Sequence, residues 1–246
     1  MNTSEKCKNC NQFVNGNYCH DCGQRTSVDK ITFQETFQDF INSIVSVNAP
    51  LFITLRLLVV NPGKLFREFI DGKRKKYYKP VPFFILATLA YLIIRQLIDF
   101  DPFGNTTVSI IDSTQSQLFT EARNFLLFHI DKFLFAFIFT LGIFLKLFFL
   151  KKNSFAEFIA IAFYLIGVYT LIVIINMFYI HYVNKEFQFM AVLAMFIYFV
   201  YALVSFFKKK KFLVALKSIF IFILAFISYF MLAFGISYII IWLKHG

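Results

Sequence analysis

The sequence predicts an all-α polytopic membrane protein of about five transmembrane helices, carrying a small N-terminal four-cysteine zinc ribbon and juxtamembrane amphipathic helices. Three observations predict it: long apolar runs, four cysteines set in two pairs, and lysines and arginines gathered at alternate ends of the runs. Of 246 residues, 59% are hydrophobic and 16% charged, against roughly half and about a quarter in an ordinary soluble domain. The excess is sorted into runs, which points to bilayer spans. The 37 Phe are read as lipid-facing and helix-packing bulk.

The head, residues 1–27, comes first. Cys7, Cys10, Cys19 and Cys22 form C-x2-C-x8-C-x2-C, in which two short knuckles bring four thiolates to tetrahedral positions around zinc. Each pair is followed by a residue that adopts a left-handed backbone readily, Asn11 after Cys10 and Gly23 after Cys22. Between them Asn15 and Gly16 form a favoured hairpin dipeptide. Two disulfides would need an oxidising compartment, and a rubredoxin-like iron centre normally sits in a larger domain. His20 lies inside the second knuckle, but four cysteines already complete the metal's shell. Structural zinc is therefore the expected cofactor, supplying most of the folding free energy of so small a piece.

Residues 28–80 form a juxtamembrane segment. From Thr32 the pattern is helical, with Phe33, Phe37, Phe40, Ile41 and Ile44 on one face and Thr32 and Glu35 at capping-box spacing. Leu51 to Val60 is too short to span and carries Arg56, so an interfacial or re-entrant piece is expected. A short helix then ends near Gly72 and gives way to Lys73, Arg74, Lys75, Lys76 and Lys79. Cations at a membrane surface attract anionic headgroups at about 1 kcal/mol each. The same five residues also serve as the orientation signal for the first span.

Residues 81–246 hold the spans. Five runs qualify: Val81 to Ile98, Phe133 to Leu150, Phe155 to Ile180, Phe187 to Phe207, and Leu213 to Leu243. Lysine and arginine accumulate before the first, between the second and third, and between the fourth and fifth. The positive-inside rule then puts the N-terminus inside and the C-terminus outside. The external connection, residues 99–132, is net acidic, and Thr114 to Phe128 places Leu118, Phe119, Ala122, Phe125 and Leu126 on one helical face.

Ionisable groups within spans mark substrate paths only when held at depth. Arg95, Lys146, Glu157 and Lys217 all lie near span ends, within reach of the interface. Mid-span tyrosines are expected to pack, and Gly142, Gly167 and Gly235 to permit close helix contact. The usual hydrolase, metalloprotease and phosphate-loop motifs are missing from the sequence.

Cys22-Gly23-Gln24, together with the pattern G-K-R-x-x-Y-x-x-P formed by Gly72, Lys73, Arg74, Tyr77 and Pro80, resembles an uncharacterised family of bacterial inner-membrane proteins, the domain of unknown function 3667. The resemblance implies a zinc-ribbon head, a multispan tail and a bacterial cytoplasmic membrane. It implies no activity.

Two functions fit these residues. One is a non-enzymatic membrane protein whose cytosolic ribbon and basic collar recruit or regulate a protein partner, with membrane lipids as further partners. The alternative is a transporter of a small solute, or a lipid-handling protein, using a cavity among the spans. Nucleic acid is not an expected partner, because the ribbon from Cys7 to Cys22 sets only Lys8 against Asp21 and the other cations lie against the bilayer. A homo-oligomer is compatible with either reading.

Overall fold

A computed structural model describes residues 5–26, 49–100, 117–129, 132–150, 152–183, 187, 189–208 and 210–245. The helix expected from Thr32 lies outside these residues. The head contains strands β1 (Glu5–Lys6) and β2 (Phe13–Val14). Among the described residues eight helices follow: α1 (Ala49–Val60), α2 (Pro62–Ile70), α3 (Pro80–Leu97), α4 (Gln117–Phe128), α5 (Leu134–Phe148), α6 (Phe155–Tyr182), α7 (Met190–Phe207) and α8 (Lys211–His245).

Four of them, α3, α6, α7 and α8, are long and apolar enough to cross a membrane. The remaining predicted run becomes α5, whose 15 residues reach about 22 Å, short of the ~30 Å hydrocarbon. The chain is thus a multi-pass membrane protein with shorter apolar helices, α1 and α5, beside its spans. The centre is α6, which packs against α3, α5 and α7, while α8 closes the other side against α4, α5 and α7. Leu165, Ile166, Phe158, Leu141 and Phe199 are wholly buried there, and Phe149 stacks on Phe207 at 4.1 Å. Polar residues at depth satisfy themselves locally: Thr170 and Ser218 donate to carbonyls four residues back, Ile166 and Val214.

The segment from α1 to α2 is built into this bundle. Pro62 opens α2 and the Asn61 side chain accepts from the Lys64 amide, so the chain turns sharply between two short helices. Gly63 lies where an added Cβ would stand 2.1 Å from the Ser205 backbone of α7; only glycine allows that approach. The two partners then cap one another. Tyr198 and Tyr201 of α7 donate to the Leu58 and Val60 carbonyls ending α1, at 3.0 and 2.7 Å. In return Arg67 of α2 donates to the Ser205 and Phe206 carbonyls at the end of α7. A carbonyl left unsatisfied in an apolar setting costs several kcal/mol, so each helix end depends on the other's side chain.

The span tyrosines therefore tie elements together besides packing. Tyr164 adds a third such tie, to the Tyr78 carbonyl at 2.5 Å. Of the glycines expected at close contacts, Gly142 faces Ile159 and Gly167 faces the Phe83 ring, but a Cβ at Gly235 would meet nothing within 4 Å. The four ionisable groups near span ends stay at those ends. Lys146 and Lys217 both donate to carbonyls closing α5, to Leu150 and Phe148 respectively. Glu157 completes a capping box with Ser154. At the opposite end of the bundle, α4 buries Ala122 and Leu126 against α8, and Glu121 meets His245 at 2.7 Å. Its apolar face is thus partly covered by protein, with Phe119 against Phe234 at 4.9 Å but still 37% exposed.

Candidate metal centre and its collar

The two knuckles have the same backbone. In the first, the Cys7 amide donates to the Gln12 carbonyl at 2.8 Å and the Asn11 amide to the Cys7 carbonyl at 2.9 Å. In the second, Cys19 donates to Gln24 at 2.7 Å and Gly23 to Cys19 at 2.8 Å. Asn11 and Gly23 hold the left-handed turn that each knuckle needs, with φ of 65° and 66°. Each knuckle is the tip of its own small hairpin: β1 pairs antiparallel with β2 around the first, and Tyr18 bridges Arg25 around the second. Asn15 and Gly16 do not join a pair of strands with one another, as the dipeptide suggests; they pass the chain from one hairpin to the next, with Gly16 at φ 119°.

The four sulfurs all lie within 4.8 Å of one another. Cys7 Sγ is 3.6 Å from Cys22 Sγ, and Cys10 Sγ is 3.5 Å from Cys19 Sγ. Four sulfurs at ~2.3 Å around one tetrahedral ion stand about 3.8 Å apart, and a disulfide needs about 2.05 Å. The separations fit a shared metal and exclude pairing; all four cysteines are free thiols. The Gln12 backbone lowers the Cys10 thiol, but withdrawal from solvent and its three sulfur neighbours outweigh that and push it up to about 12. A cation relieves that crowding. His20 is exposed and no part of the cluster. Four such ligands leave no open coordination position.

The head does not hang free. The Gln24 side chain is buried and makes two hydrogen bonds to the backbone 48 and 51 residues further on: its Nε2 donates to the Gly72 carbonyl, and its Oε1 accepts from the Lys75 amide at 3.3 Å. Gly72 presents that carbonyl because it closes α2 with φ 107°, its amide returning to the Phe69 carbonyl at 3.2 Å. Cys22-Gly23-Gln24 and the Gly72 to Pro80 pattern are thus in direct contact.

The collar is partly offset from within by Glu68, which is charge-paired with Lys73 at 3.7 Å and Lys76 at 3.1 Å and accepts from the Tyr77 hydroxyl. Burial pushes the Glu68 carboxyl up, but Tyr77, Lys76 and Lys73 outweigh it and hold the group below the usual carboxylate range. Burial, then Glu68, pushes the Tyr77 phenol up. Tyr77 and Tyr78 are buried, and the Tyr78 amide donates to Thr54 of α1 at 2.9 Å. Of the five collar cations, Lys75 is exposed; Lys73, Arg74, Lys76 and Lys79 are half-buried.

Residues 49–92 match the family described as protein of unknown function (DUF3667). The DUF3667 stretch runs from α1 through α2 and the collar into α3, and so contains Gly63, Arg67, Glu68 and Gly72 but not the head. No curated protein and no solved structure matches the chain.

Sequence reasoning placed the four cysteines and the collar, and the structure brings both together. It missed Gln24, Glu68 and Arg67 as joints. Gln24 stands at the same place after its knuckle as Gln12, and no local spacing distinguishes them.

Proposed function

We propose that the protein is a non-enzymatic membrane adaptor whose zinc-bound head, held on the basic collar, recruits or regulates a protein partner at the cytosolic face. The observation that carries this reading is the Gln24 latch: it fixes one side of the head and leaves the other facing solvent, with Phe13 58% and Tyr18 63% exposed. Exposed aromatics on a rigid, catalytically closed metal module are interaction anchors. The collar cations supply a second, lipid-facing contact with anionic headgroups. The membrane in this reading is the bacterial cytoplasmic one, N-terminus in and C-terminus out. Lysines clustered at the collar end of the bundle, Lys152, Lys208, Lys210 and Lys211 besides the collar's own, support that sidedness.

In-cell cross-linking tests it. A partner captured by the wild type should disappear in Phe13→Ala/Tyr18→Ala and in Cys19→Ser at equal protein levels. Recovery of the same neighbours from all three chains would refute recruitment by the head.

A further inference from the structure

The bundle encloses a cavity between α3, α5, α6, α7 and α8, lined by Tyr91, Phe137, Tyr169, Val173, Val192 and Tyr229 among others. Among the described residues of its lining none carries a charge at neutral pH; the polar groups are three phenols and Thr170, whose hydroxyl is already donated to the Ile166 carbonyl. Phe137 stands in the first turn of α5 and Val192 in that of α7, so the cavity lies in the half of the bundle away from the collar. That is where α5 falls short. A helix about 8 Å too short for the hydrocarbon leaves one end short, and the cavity reaches the first turn of α5 at Leu134 and Phe137. The cavity is not sealed, since Val173 and Val192 at its rim are only half-buried.

We infer that this cavity binds the hydrocarbon chain of a membrane lipid. A mostly apolar space of this kind within helices that cross a bilayer is cheapest to fill with acyl chain, because most of its lining is hydrocarbon and gives a water-filled space few polar partners. A charged solute would be stripped of water without a counter-charge to meet it. The phenols suit an uncharged ester or hydroxyl near the head of the chain. The inference does not depend on recruitment by the metal head.

The test uses the full chain reconstituted in phospholipid bilayers containing a lipid with a diazirine in its acyl chain. Photolysis should place label on peptides from the first turn of α5, around Val173, and around Val192. Val173→Trp, which fills the cavity, should lower that labelling several-fold, whereas Ile197→Trp on an exposed face of α7 should leave it unchanged. Val173→Ala, which enlarges the space, should preserve or raise it, and provides the readout if the Trp variant fails to fold. Equal labelling in Val173→Trp and wild type, or label spread evenly over the outward faces, would overturn the proposal. Labelling of these peptides by a water-soluble uncharged diazirine and not by the lipid would overturn it in favour of a small solute.

Discussion

The first and second knuckles differ in almost nothing that their backbones can register, yet one is a free surface and the other is a joint. Both run Cys-x-x-Cys, a left-handed residue, then Gln; both close with the same pair of amide bonds. Gln12 is exposed, and Gln24 is 4% exposed with two backbone partners in the collar. The difference lies outside the motif. Gly72, turned left-handed at the end of α2, offers a carbonyl to the second knuckle, while among the described residues Gln12 has no such partner in the collar. A metal site can thus set a local shape without setting what that shape does.

The largest expected effect treats the knuckles alike. Cys19→Ser or Cys7→Ser, or a strong chelator, removes a shared ion from a module with three buried hydrophobic residues of its own. The head should unfold outright, seen as proteolysis within residues 5–26 while the bundle stays protected. The next effect separates them. Gln24→Ala leaves the Gly72 carbonyl and the Lys75 amide without their partner, at a cost of about 1–3 kcal/mol, and should release a still-folded head. Faster hydrogen exchange at the Lys75 amide, with metal retained, checks this.

Glu68 offers a smaller perturbation on the collar side of the joint. Its carboxyl is held below its ordinary value of 4.5, so its contribution is present above that pH and is lost as the pH falls through and below it. Acidification below about 4.5 should loosen the collar in the wild type. Glu68→Gln should show that looseness at neutral pH, costing about 1 kcal/mol because Lys73 and Lys76 are partly solvated, and should respond less to acid. Smallest of all, Gln12→Ala should stay within about 0.5 kcal/mol of wild type. A Gln12→Ala effect as large as that of Gln24→Ala would erase the distinction between the knuckles.

Much of this was legible in the sequence because local chemistry dictates it. Cysteine spacing fixed the sulfur cluster, Asn11 and Gly23 declared the left-handed turns, and the apolar runs declared the spans. The Thr114 to Phe128 pattern correctly marked an apolar face but not what covers it, since periodicity reports that a face is buried and never against what. The joints were illegible for a related reason. Gln24, Arg67, Tyr198 and Tyr201 each satisfy a backbone group far away in sequence. Leu134 to Phe148 counted as a span because Phe133, Phe149 and Leu150 extend the run; hydropathy continues where the helix stops.

The mutual capping of α1, α2 and α7 bears on how the chain is made. Leu58 waits for Tyr198, Val60 for Tyr201, and the Arg67 guanidinium for the Phe206 carbonyl, partners 140, 141 and 139 residues apart. During synthesis the early helices must therefore stand beside the insertion machinery with two carbonyls open until α7 arrives. Assembly is closed from the far end of the polypeptide backwards, and a nascent chain halted before α7 would carry its collar on an unfinished foundation.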